Sequence, residues 1–269
     1  MKKKLCSQTP LFTKEELIEK FKEINKKGWI ENKRGKNNGA VGNTLEDLLG
    51  IPENNLPIPN AAEWELKAQR KNTTSLVTLC HLEPSPRAAK LVSNLLLPNY
   101  GWPHSLAGIN YPVNEKSFRQ TLNTKLITDR GFSVKVNYEE KKVEIVFNSK
   151  KVSDKHKKWL KEVLDSTEMD TLPITPYWGF NDLYIKIGSK LTNCFFVRAE
   201  TKKENNKEYF HYNNVLMLKN VNLDKFINAI EQGLVYIDFD ARTGHNHGTK
   251  LRIKYENIPE LYKDVIEII

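Results

Sequence analysis

The stretch "LPIPNAAEWELKAQRK", residues 56–71, decides how this chain is read. Glu63, Glu65 and Lys67 alternate with Trp64, Leu66 and Ala68. Successive side chains of a strand point to opposite faces, so the spacing predicts a strand with its charged residues on one side and its apolar residues on the other. The run "SLVTLCH" at 75–81 predicts the next strand. Two readings of the charged face stand open. One is an amphipathic surface strand with an ordinary Glu–Lys pair; the other is a strand that aims Glu65 and Lys67 at a cation and a phosphate.

The second reading has a definite chemistry. Mg²⁺ takes oxygen ligands in octahedral geometry, keeping several waters and one or two protein carboxylates. Phosphodiester hydrolysis assisted by such an ion also needs an activated water and neutralisation of charge on the phosphate. Glu65 and the Leu66 carbonyl would hold the ion, a group at residue 60 would complete the set, and Lys67 would hold the water or the phosphate. Glu46, on a predicted short helix, is a further acid at the rim or an ordinary exposed glutamate. Five positions before Glu65 stands Asn60, in Pro59-Asn60, where an acid would serve better.

Charge points the same way. With 42 Lys and Arg against 33 Asp and Glu, the formal charge is +9. Cations that neutralise phosphates release condensed counterions, so this excess favours polyanionic partners; an AT-rich genome, which favours Lys and Asn, explains it equally. The three cysteines, Cys6, Cys80 and Cys194, are widely spaced, and the last two lie in apolar runs. Buried free thiols are expected, with no disulfide or zinc site. No apolar run is long enough to span a bilayer and "MKKKLCSQTP" lacks the apolar segment of a secretion signal, so the expected compartment is the cytoplasm.

Along the chain, "TKEELIEKFKEINKKG" predicts a helix with a Thr13/Glu16 capping box and a stop at Gly28. "GNTLEDLLG" predicts a short helix ended by Gly50, and "SPRAAKLVSNLL" another. "FSVKVNY" and "VEIVFN" predict a hairpin, as do "NCFFVRAE" and "EYFHYNN". Helices are expected in "SDKHKKWLKEVLDS" and "NLDKFINAIEQG", and strands in "LVYIDFDAR" and "KLRIKY". The aromatic loop with Tyr100, Trp102 and His104 either closes over a groove or anchors the core. Elements mix without regular alternation, which predicts an α+β or mixed α/β fold in one large domain or two modest ones.

"TGHNHGTKLRI" sets His245 and His247 in a Gly-flanked loop before Arg252. No further metal ligands stand nearby, so base contact outranks zinc: imidazole offers a donor and an acceptor, and Arg can grip guanine O6 and N7. Asp238, Asp240 and Arg242 belong to the same neighbourhood, where an acid can accept from cytosine N4 or simply line an exposed strand. The basic loop Lys33-Arg34-Gly35-Lys36 is a weaker candidate for phosphate contact.

"GWIENKRGKNNGAVGNTLEDLLG", "EWELK", "SLVTLCHLEPSPR", "YWGFNDL", "FFVRAETKKENNKEYFHYN" and "HNHGTKLRI" follow one another in an order that resembles the MvaI/BcnI-type restriction endonucleases, relatives of the MutH nickase. The likeness spans nearly the whole chain. It implies a PD-(D/E)XK core, a mixed central sheet flanked by helices, with catalytic and recognition lobes around a DNA cleft: roughly residues 1–100 and 101–269 of a single endonuclease chain. It sets Glu65 and Lys67 on the family's catalytic Glu and Lys, Glu46 on the helical acid of the MutH branch, and His81 on a base-reading histidine. It implies Mg²⁺, double-stranded DNA, a monomer, a protective methyltransferase as genetic companion, and cleavage at a short GC-rich pseudosymmetric site resembling CCSGG or CCNGG. Asn60 falls on the catalytic Asp and departs from it, either as an introduced substitution that lets DNA be held uncut or as the natural residue. A MutH-like nickase and a silent sequence-specific DNA-binding protein are the alternatives.

Overall fold

The capping box expected at Thr13 is formed. Glu16 N–H donates to Thr13 Oγ1 at 3.2 Å, and Thr13 N–H donates to Glu16 Oε2 at 2.8 Å. The helix it starts buries Leu17, Phe21 and Ile24 along one stripe. The computed structural model describes residues 12–35, 37, 39–51 and 63–269, which leaves Cys6, Lys36 and Asn60 outside the described residues.

From the N-terminus the chain runs α1 (Lys14–Lys26), β1 (Ile30–Glu31), α2 (Ala40–Leu49), β2 (Glu65–Arg70) and β3 (Val77–His81). Next come α3 (Leu97–Tyr100), β4 (Trp102–Pro103), β5 (Lys116–Leu122), β6 (Arg130–Asn137), β7 (Lys142–Val152) and α4 (Lys157–Thr167). The remainder is β8 (Tyr177–Gly179), α5 (Phe180–Leu191), β9 (Asn193–Glu204), β10 (Lys207–Val221), α6 (Leu223–Glu231), β11 (Val235–Arg242), β12 (His245–Asn246), β13 (Lys250–Ile253) and β14 (Tyr262–Glu267).

Two compact units result. The first comprises Met1–Ser75, Ile187–Asn222 and Tyr262–Ile269. Its sheet runs β1-β10-β9-β2, with β14 also on β10. Among the described residues of this sheet only the β2–β9 pair is parallel, with Glu65 beside Cys194 and Lys67 beside Phe196. Parallel neighbours need a long crossover, which is why Ile187–Asn222 returns to the first unit. The predicted division near residue 100 therefore gives way to two interleaved units. Asn205 and Asn206 turn the β9–β10 hairpin at positive φ, the backbone that a two-residue hairpin demands.

The second unit comprises Leu76–Lys186 and Leu223–Leu261. Its larger sheet runs β3-β13-β11-β5-β4, with β12 on β11; β6, β7 and β8 form a smaller one. Tyr100, Phe118, Phe132 and Phe147 make the core, with neighbouring ring centroids 4.9–5.9 Å apart. Tyr100 and His104 are buried, so the aromatic loop is an anchor. The single helix expected over "SPRAAKLVSNLL" is broken. Arg87–Ala89 is a 3₁₀ turn, Lys90 takes φ 48°, and Val92–Leu96 is wound as a π-helix before α3. No strand was expected at β5 and no helix at α5. Among the described residues no helix is long and apolar enough to cross a membrane.

Candidate active site

Glu65 is 1% exposed, which removes the surface-strand reading. The other face of β2 explains why. Trp64 and Leu66 pack with Phe195 and Val197, under Leu17 and Phe21 of α1 and Leu45 and Leu49 of α2. Strand alternation then turns Glu65, Lys67 and Gln69 to the opposite side. Lys67 Nζ donates to Glu65 Oε1 at 2.7 Å, and Lys190 Nζ, from the end of α5, lies 3.7 Å from the same oxygen.

Glu65 Oε2 is buried and accepts no hydrogen bond. Desolvating a carboxylate costs several kcal/mol, and one satisfied oxygen does not offset that alone. An orphaned buried acceptor of this kind calls for a bound ion or water. An oxygen-seeking cation fits this donor set. Lys71 N–H donates to the Ala199 carbonyl at 2.7 Å, so odd-numbered residues of β2 turn their amides to β9 and the Leu66 carbonyl faces the other way. Among the described residues no group of three His, Cys, Asp or Glu side chains is placed to hold a metal ion.

The floor of the site is neutral. Burial pushes the Cys194 thiol up to about 12, against the pull of the Lys67 charge. Burial also raises the Tyr262 hydroxyl well above its ordinary range, helped by the Cys194 and Glu65 charges. Both groups stay protonated at neutral pH.

Glu46 is half-buried on α2, the helix whose Leu45 and Leu49 pack with Trp64 and Leu66. Lys33 is exposed. Arg34 is engaged by Asp47, with Nε donating to Oδ2 at 2.7 Å, and this bond holds the Asp47 carboxyl below its usual range. Arg34 is thus tied to α2, and Asn32, two residues before it, donates to Glu208 at 2.8 Å.

Lys190 escaped the sequence reading because α5 did. The signal was present: Leu183, Ile187 and Leu191 recur at helical spacing and all are buried. Replacing Lys190 by Met removes one of two cations on Glu65. Cleavage by the Asn60→Asp protein is expected to slow about fivefold, equivalent to a partly exposed ion pair of roughly 1 kcal/mol. An unchanged single-turnover rate would make Lys190 a bystander.

In the second unit, the candidate base contacts share one sheet face. Asp238 pairs in register with Lys250 and Thr121, Asp240 with Arg119, and Lys250 with His81. Thr121 Oγ1 donates to Asp238 Oδ1 at 2.8 Å, and Arg252 Nη1 to Oδ2 at 3.0 Å. Lys250 Nζ donates to Asp240 Oδ2 at 3.1 Å. Burial raises the Asp240 carboxyl, but the Lys250 bond and charge and the Arg119 charge outweigh it and bring it below its usual range. His245 Nε2 lies 3.2 Å from His247 Nδ1, and Gly248 passes close beside the His81 ring. Glu83 clamps this loop, accepting from Thr249 N–H at 2.8 Å. Arg242 is otherwise occupied: Nη1 donates to buried Glu115 at 3.0 Å, and the guanidinium lies over Tyr111.

A mixed sheet whose parallel pair carries a buried, half-satisfied carboxylate against a lysine sets an acceptor for a cation beside a donor for an anion. The MvaI/BcnI restriction endonuclease family model matches residues 18–262, and the chain belongs to that family. It is a type II site-specific deoxyribonuclease. The solved complex of restriction endonuclease MvaI with its cognate DNA substrate is similar at a TM-score of 0.74 and 25% identity, covering 94% of this chain and 97% of that one. MvaI in the absence of DNA is similar at a TM-score of 0.54 and 25% identity, over 94% and 96% of the two chains. A comparison with curated proteins finds no match.

Proposed function

We propose that this chain is a Mg²⁺-dependent restriction endonuclease that cuts double-stranded DNA, its first unit carrying the chemistry and its second reading the bases. The observation that carries the proposal is the buried Glu65 carboxylate, one oxygen held by Lys67 and the other left without a donor. With the side chain of residue 60 as the further oxygen ligand expected from the sequence, Glu65 and the Leu66 carbonyl would hold the ion. When bound, it supplies Lewis acidity and a more acidic water. Lys67 orients the attacking water and neutralises charge on the phosphate, while Lys190 lies 3.7 Å from Glu65 Oε1 and adds a second cation beside it. In-line displacement of the 3′ oxygen leaves a 5′-phosphate and a 3′-hydroxyl.

The target is a short GC-rich pseudosymmetric site, CCSGG- or CCNGG-like, read by a monomer through His81, Asp238, Asp240, His245, His247 and Arg252. A protective methyltransferase is its genetic companion, and the enzyme works in the cytoplasm. The acids and cations of the second unit's sheet face and the DNA-bound relative support this assignment. Asn60 favours a second reading, in which the chain as it stands binds its site and leaves it uncut. The test is to incubate the chain and its Asn60→Asp variant with Mg²⁺ and a defined plasmid, then sequence the ends. Linear product with fixed ends from the variant supports the nuclease. A product that stops at one nick indicates a strand-specific nickase, and a specific gel shift with no cleavage by either protein indicates a silent binder.

A further inference from the structure

The three arginines on the second unit's sheet differ in how much of the guanidinium is already used. Arg242 gives Nη1 to Glu115 and to the Thr243 carbonyl. Arg252 gives Nη1 to Asp238 and Nη2 to the Leu76 carbonyl at 2.7 Å. Arg119 differs. Its side chain is 47% exposed, and its only contact among the described residues is Nε, 2.7 Å from Asp240 Oδ1. That approach is an ion pair without hydrogen-bond alignment, since Asp240 Oδ1 accepts no aligned donor. Both Nη groups of Arg119 stay available.

We infer that Arg119 is a specificity-determining residue that reads one guanine of the target, held in place by Asp240; this rests on the proposed DNA-reading role of the second unit's sheet. A free pair of N–H groups on a planar guanidinium matches guanine O6 and N7, the two acceptors side by side in the major groove. A carboxylate beside Nε holds the guanidinium by charge and leaves the outer donors to the base. Asp240 is built for that: Lys250 holds its second oxygen, and neighbouring cations keep it ionised. The strand geometry presents the fork. Arg119 sits directly across from Asp240 on β5 and shares the outward face with Asp238, Lys250 and Arg252. Lysine in its place would keep the charge and lose the fork.

The test uses the full chain and a pool of duplexes with a randomised eight-base-pair centre, bound without Mg²⁺ and sequenced from the retained fraction. The wild type is expected to enrich a motif, and Arg119→Lys to lose preference at one G·C pair by about tenfold to hundredfold while keeping the other positions. An unchanged motif for Arg119→Lys, or equal weakening on every sequence, overturns the inference while leaving the base-reading face intact. Enrichment of no motif by the wild type overturns both. Asp240→Asn is a second variant: it is expected to blur the same G·C pair, and blurring at a different pair overturns the coupling of Asp240 to Arg119.

Discussion

Asn60→Asp is expected to raise Mg²⁺-dependent DNA cleavage by at least about 10³-fold, roughly 4 kcal/mol in the barrier. An amide at residue 60 offers one neutral carbonyl oxygen where a carboxylate offers a charge. A divalent ion held by oxygen ligands depends on that charge, and Lewis-acid stabilisation of the transition state is worth several kcal/mol. Every other described part of the centre is in place: Glu65 buried, Lys67 bonded to it, and the Leu66 carbonyl turned away from β9. The measurement is a plasmid cleavage time course for both proteins at equal concentration. If the variant cuts no DNA while still binding it, the assignment of Glu65 and Lys67 to catalysis falls.

How far the sequence could be read depended on how each segment divides its faces. β2 was legible because Trp64, Leu66 and Ala68 must all go inward, so Glu65 and Lys67 had to share the other side. That alternation could not reveal that Glu65 would be buried, because burial comes from β9 and the chain that returns through Ile187–Asn222. β11 read cleanly for the same reason, with Val235, Ile237, Phe239 and Ala241 all buried. β5 did not. Its two large apolar residues, Phe118 and Leu122, stand four apart as on a helix, and Gln120 takes an inward place between them. With polar Gln120 facing inward between the outward Arg119 and Thr121, β5 loses the apolar–polar alternation by which strands are found. The same blind spot hid Arg119, while Arg242, conspicuous in the sequence, is held by Glu115.

Glu65→Gln, made in the Asn60→Asp protein, is expected to abolish cleavage, with a loss of about 10³-fold or more, while DNA binding without Mg²⁺ stays within about threefold. The amide keeps one oxygen for Lys67 but replaces the orphaned Oε2 with a donor group, which repels a cation where the carboxylate attracts one. Stability separates this account from simple misfolding. Gln removes the several kcal/mol cost of a desolvated charge but weakens the ion pairs with Lys67 and Lys190 and buries an unpartnered amide N–H; these opposed terms leave the melting temperature little changed in metal-free buffer. Mg²⁺ discriminates further. At about 100 times its Kd, an ion that binds only the folded state adds about 2.7 kcal/mol. The Asn60→Asp protein is therefore expected to melt roughly 5–10 °C higher in Mg²⁺, whereas the version that also carries Glu65→Gln gains nothing. Equal Mg²⁺ stabilisation of both would place the ion elsewhere and leave the empty oxygen of Glu65 without its partner.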